Sequence, residues 1–99
     1  MSKTIWKFPI TVDLSPFGIV YNEQFTLDLP AGAEVLTVRF QKLVPTIWVR
    51  VNPEAPKCPR KFLMMGTGKP IPEGWEHTRC LGMFISPDED LVFHLFERE

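Results

Sequence analysis

Gly66-Thr67-Gly68-Lys69-Pro70-Ile71-Pro72 follows directly on the apolar run Phe62-Leu63-Met64-Met65. Glycine lets a backbone approach a neighbour closely, and proline fixes the path on the far side. Backbone N–H groups, the Thr67 hydroxyl and the Lys69 ammonium suit an anion; the plainer alternative is a rigid turn. A triphosphate-binding loop is excluded. Such a loop needs a Ser or Thr after its Gly-Lys and a helix whose N-terminal amides hold phosphate. Here Pro70 follows Lys69. A second constellation lies upstream. If Leu36, Val38 and Phe40 face a core, then Thr37, Arg39 and Gln41 face out; if Ile47, Val49 and Val51 face it, then Thr46, Trp48 and Arg50 face out. A hairpin would then set Trp48 beside Arg39 and Arg50 on one exposed sheet face. An indole stacks on a planar ligand and guanidinium groups pair with phosphate. The same trio suits a protein interface, or Trp48 packs under a loop with the arginines solvated.

Nothing comparable points to catalysis or to a metal. The serines (Ser2, Ser15, Ser86) sit near the N-terminus or turn prolines, outside any nucleophile-elbow pattern. His77 and Cys80 are three apart, which puts them on opposite faces of a strand. Asp88-Glu89-Asp90 has the composition of a solvated hairpin tip rather than of a working carboxylate pair. Cys58, His77, Cys80 and His94 lack the close paired spacing of a zinc site. His94, inside Leu91-Val92-Phe93-His94-Leu95-Phe96, reads as a hydrogen-bonded, partly buried histidine. The expectation is a non-enzyme with no cofactor and no metal.

Composition narrows the class further. The 99 residues, 44% of them hydrophobic, make one domain spanning 1–99 with one modest core. A net charge of -1 argues against a general nucleic-acid binder. No apolar run approaches the roughly 20 residues of a membrane span. The start Met1-Ser2-Lys3-Thr4-Ile5-Trp6-Lys7 lacks a secretory signal's apolar segment. A cytoplasm is therefore expected, with Cys58 and Cys80 as free thiols.

The elements that must position these residues are strands. Ten prolines leave only 31–44 and 73–86 open to a long helix, and neither shows a helical stripe. Residues 4–10 read as an edge strand, because Pro9 cannot donate to a ladder. Residues 13–18 read as a loop on Ser15-Pro16, and 23–29 as an alternating strand. Residues 35–41 and 46–51 form a hairpin. Residues 52–59 are irregular. Further strands run over 60–65, 76–85 with a bulge at a glycine, and 91–97. Trp6 and Phe8 alternate toward the core. Trp75 either plugs the proline-rich loop or walls a pocket. About seven short strands imply an all-β, single antiparallel sandwich or partly open barrel.

Thr4-Ile5-Trp6-Lys7-Phe8-Pro9-Ile10, Leu29-Pro30-Ala31-Gly32-Ala33-Glu34-Val35-Leu36-Thr37-Val38, Trp48 followed by Val51-Asn52-Pro53-Glu54-Ala55-Pro56, the 66–72 loop and Leu91-Val92-Phe93-His94-Leu95-Phe96-Glu97 recur here as an ordered set. Over nearly the whole chain they resemble a small domain of unknown function found widely in tailed-phage genomes. Asp13–Tyr21 looks like an insertion relative to that family. The resemblance carries no catalytic or binding residue with it. It implies a phage accessory protein in the host bacterial cytoplasm. Two functions are then in view. One is sequestration of a small nucleotide-like host immune signal by Arg39, Trp48, Arg50, Thr67 and Lys69 in a homo-oligomer. The other is inhibition of a host protein through a sheet face or edge strand. A virion component is a third alternative.

Overall fold

A computed structural model describes residues 2–10, 12–15, 18–21, 24–87 and 91–98, the backbone alone in 12–15 and 18–21. Among the described residues nine strands follow in chain order: β1 Thr4–Pro9, β2 Val12–Ser15, β3 Gly18–Tyr21, β4 Gln24–Pro30, β5 Glu34–Gln41, β6 Val44–Val51, β7 Lys57–Gly66, β8 Arg79–Ile85 and β9 Val92–Arg98. Seven of them build two antiparallel sheets, ordered β1-β6-β5 and β4-β7-β9-β8, while β2 and β3 form a separate two-stranded ribbon. The architecture is an all-β sandwich, as the strand spacing implied.

Side-chain alternation explains how the sheets close on each other. Val38, Ile47, Val49 and Val51 from the three-stranded sheet meet Leu29, Phe62, Met64, Phe84 and Leu95 from the four-stranded one in a single buried cluster. Phe40 bridges the layers, with ring centroids 5.5 Å from Phe84 and 5.9 Å from Phe93. Trp6 and Phe8 pack against the same core. On the far side of the second sheet, Leu63, Met65 and Trp75 form a satellite core against Phe96. Trp75 is only 3% exposed, so it plugs the 67–78 loop onto this sheet.

Prolines sit where a missing N–H costs least. Pro9 lies in β1, an edge strand. Pro59 lies in β7 opposite Asp28 of β4, beyond Lys61, where the pairing with β9 begins. Only one side of β7 is laddered there, which is the condition under which a strand tolerates proline.

Several expectations need correction. Residues 13–18 are not simply a loop: β2 and β3 form a hairpin within the insertion-like segment, and its Pro16 lies outside the described residues. Strand β7 begins at Lys57 rather than Arg60, because the proline-rich stretch still pairs with β4. Strand β8 begins at Arg79, since 72–78 is taken up by turns around Trp75. Leu36 does not face the core: a bulge between Val35 and Thr37 passes that role to Val35 and leaves Leu36 37% exposed. Thr46, expected to face out to solvent, is 1% exposed, its hydroxyl donating to the Val44 carbonyl at 3.1 Å. The acidic tip 88–90 lies outside the described residues; the Ser86 N–H donates to the Leu91 carbonyl at 2.8 Å across its base.

Candidate functional site

Register in the three-stranded sheet decides which side chains share its outer surface. Trp48 of β6 stands opposite Lys7 of β1 and Thr37 of β5, and Arg50 stands opposite Ile5 and Glu34. Arg39, opposite Thr46, reaches diagonally across to Trp48, its guanidinium carbon 5.4 Å from the indole centroid. Arg50 holds Glu34 at 3.3 Å. Lys7 donates to the Gln41 side chain at 3.0 Å. Arg39, Trp48 and Arg50 are thus brought onto one open face, a platform rather than an enclosed cavity. The indole is half-buried, and the guanidinium that covers it is exposed. A planar anion can slide against this cation–π pair and exchange water for N–H donors.

Thr67 and Lys69 belong to the other sheet. They follow β7, and the Lys69 side chain lies back against Gly66. The Thr67 N–H donates to the Val92 carbonyl at 3.0 Å, and its hydroxyl sits 2.9 Å from His94 Nε2. The loop is therefore pinned to the start of β9, and His94 is half-buried and hydrogen-bonded. The five residues read as one site are divided between two sheets, three on a shared platform and two at the end of β7.

A second charged region was not foreseen. Arg60 on β7 makes a two-pronged contact with the Glu97 carboxylate on β9, its Nη2 at 2.8 Å from Oε1, and donates through Nη1 to the Ala33 carbonyl at 2.6 Å. The bond to Glu97 raises the Arg60 pKa above its ordinary value, against an opposing effect of burial. Arg79 on β8 approaches the same carboxylate at 3.5 Å. Arg98, at the end of β9, lies over the Trp75 ring with its guanidinium carbon 5.1 Å from the centroid. These groups rim an open cleft of about 850 Å³; Arg98 also lines a smaller one of about 200 Å³, walled in part by Trp75. Trp75 is thus both the plug and part of a wall. The only signal in the sequence was the alternation His94, Phe96, Arg98, which puts Arg98 on the same face as the satellite core. The meeting of Arg60, Arg79 and Glu97 depends on the β7-β9-β8 register, which no local pattern specifies.

Cys58 and Cys80 are separate, exposed thiols. No cluster of three or more His, Cys, Asp or Glu side chains suited to a metal occurs among the described residues. No described helix is long and apolar enough to cross a membrane.

No curated protein and no solved structure matches the chain significantly. Its full length, residues 1–99, matches the domain of unknown function DUF7352, and the chain belongs to that family.

Proposed function

We propose that this domain is a non-catalytic binding protein that captures a small, planar, anionic, nucleotide-like molecule on the outer face of its three-stranded sheet. The observation that carries this is the Arg39 guanidinium stacked at 5.4 Å on Trp48, with Arg50 on the same face. The Arg39–Trp48 pair supplies the stacking surface. Arg39 supplies a fork for phosphate oxygens, and Arg50 a second one on exchanging Glu34 for the ligand. A platform buries only one side of its ligand, and small-molecule sites bury most of theirs; a second copy of the chain facing the first supplies the cover. Taken with the resemblance to tailed-phage proteins, the role is sequestration of a host immune signal in the bacterial cytoplasm, as an anti-defence accessory. Thr67 and Lys69 take part in this reading only if oligomerisation brings the end of β7 of one copy to the platform of another.

The competing reading is docking of a host protein on the same face. It is favoured by the apolar residues that rim it, Ile5 at 58% exposure and Leu36 on its bulge. Thermal-shift screening with cyclic dinucleotides and ADP-ribose derivatives separates the two. Under the small-ligand reading at least one nucleotide raises the melting temperature. The compound is recovered chemically unchanged on heating. Trp48→Ala then weakens it by about 5- to 100-fold, the range for losing one base–aromatic stack. Absence of any shift, with one host protein co-purifying in a Trp48-dependent way, transfers the function to docking. Turnover of the ligand rejects the non-catalytic assignment. Light scattering on free and ligand-bound protein tests the second copy.

A further inference from the structure

The cleft between β8, β9 and the 74–78 turn has a composition and construction that the platform reading does not use. Three arginines, Arg60, Arg79 and Arg98, face it against two glutamates, Glu76 and Glu97. The acidic pair is largely committed. Glu97 is held by Arg60 through both carboxylate oxygens. Glu76 turns back to accept the Gly74 N–H, with both oxygens at 3.1–3.2 Å. Arg79 retains most of its donors: its side chain is 73% exposed and touches Glu97 only at 3.5 Å. Arg98 has no ion-pair partner among the described residues, yet it is not left to wander. One face of its guanidinium is stacked on Trp75, which leaves the N–H edge available.

The turn is shaped around Arg98. Gly74 adopts φ +92, and a Cβ there would lie 3.1 Å from Arg98 Nη1. A side chain at 74 would be strained by the backbone and would press on the guanidinium. The Trp75 and Thr78 N–H groups close the turn onto Pro72 and Trp75 carbonyls, so the segment under Arg98 is internally bonded. A cation placed by an aromatic ring and a glycine, on a cleft that a second, under-used arginine also lines, has its position set before any ligand arrives.

We propose that this cleft is an anion site, separate from the Trp48 platform, for a small molecule bearing a diphosphate or clustered phosphate groups. Arg98 and Arg79 each present planar N–H forks, which match phosphate oxygens in pairs. With Glu97 paired to Arg60, Arg79 and Arg98 face only the Glu76 carboxylate, which leaves the rim an excess of one positive charge for an anion. Arg60 acts as a positioning residue: it neutralises Glu97 and so releases Arg79 for the ligand. His77, exposed on the same rim, offers a further ring N–H.

The test is an NMR titration of the whole chain with sodium pyrophosphate, run against sodium chloride at equal ionic strength. Saturable shifts are expected at the Trp75 indole N–H and at the Arg79 and Arg98 Nε–H signals, with pyrophosphate and not with chloride. Arg79→Gln, at an exposed position and so expected to keep the fold, weakens pyrophosphate by about tenfold or more. Arg98→Lys keeps the charge but loses the fork and the stack, and weakens it as well. Lys42→Gln, at the exposed β5–β6 turn of the other sheet, leaves the pyrophosphate-dependent shifts at the cleft unchanged. The proposal is overturned if millimolar pyrophosphate gives no saturable shift at these cleft signals, if Arg79→Gln binds as the wild type does, or if Lys42→Gln abolishes binding. Because these signals lie at the cleft and the platform is tested by Trp48→Ala with nucleotides, failure here leaves the Trp48 reading standing, and the converse holds.

Discussion

Arg60 donates once from each of its three guanidinium nitrogens to two partners, the Glu97 carboxylate and the Ala33 carbonyl, at a site where its side chain is 19% and that of Glu97 13% exposed. Such a pair matters most when one half is removed, because the remaining charge keeps its burial and loses its solvation substitute. Glu97→Gln is therefore expected to lower stability by about 1–3 kcal/mol, less than a fully buried pair would lose. Urea unfolding of the two proteins checks this. The raised Arg60 pKa sets the pH dependence of its contribution. A cation whose folded pKa exceeds the unfolded one stabilises fully below the unfolded value and loses that stabilisation as pH rises through the folded one. For an arginine that window lies in strong alkali, so Arg60 by itself gives no slope to the stability curve near neutral pH. At the same scale, Arg39 on Trp48 and Arg98 on Trp75 are alike as contacts and different in setting: one stands on an open strand face, the other over a glycine turn beside a cleft.

The β5–β6 hairpin shows how an element aims its side chains. Gln41 pairs with Val44, leaving Lys42 and Leu43 as the connection, and Lys42 takes φ 58. Positive φ is costly for a residue with a Cβ, and tight hairpin loops favour Gly or Asn there. Lys42→Gly should raise stability by about 0.5 kcal/mol, relief of the strain exceeding the added flexibility of the unfolded chain. A higher urea midpoint with an unchanged slope is the expected readout. Bulges do the rest of the aiming. The register shift at Leu36 lets Glu34 and Arg39 both lie on the outer face with Trp48 and Arg50. The shift between Cys80 and Gly82 in β8 lets the chain pass Val38 of the facing sheet. Gly82 has φ +154, and a Cβ there would find Val38 Cγ1 at 3.8 Å, ordinary contact. Gly82→Ala should thus cost about 1–2 kcal/mol from backbone strain alone. A compensating Val38→Ala should not recover it, since space is not what is lacking; a double-mutant cycle decides.

At the scale of the molecule, one core joins two sheets whose strands alternate between them in sequence. β4 and β7 to β9 lie in one sheet, while β1, β5 and β6 lie in the other. Leu95 is wholly buried in that shared core. Leu95→Ala should cost about 2–5 kcal/mol, a large part of what a domain of this length has to spare. Circular dichroism and tryptophan fluorescence should report the loss at the same denaturant concentration if both sheets unfold together. Three of the six pairings among the described strands, β1–β6, β4–β7 and β7–β9, join strands that are not neighbours in sequence, so refolding in milliseconds to seconds is expected rather than microseconds.

The all-β class, the edge position of β1, the β5–β6 hairpin and the outward direction of Trp48, Arg39 and Arg50 were legible in the chain itself. Each depends on local chemistry: a period of two, a proline without a donor, a turn between apolar runs. The inward swing of Val35 was not, because a bulge is an accommodation between two strands and leaves no mark in one. Nor was the hairpin at 12–21, whose short arms flank a proline that alone reads as a loop. The separation of Thr67 and Lys69 from the tryptophan platform, and the gathering of Arg60, Arg79, Arg98 and Glu97 at one cleft, were decided only by tertiary structure. Residues far apart in sequence meet according to strand order and register, and those are fixed by how the two sheets bury their apolar faces together.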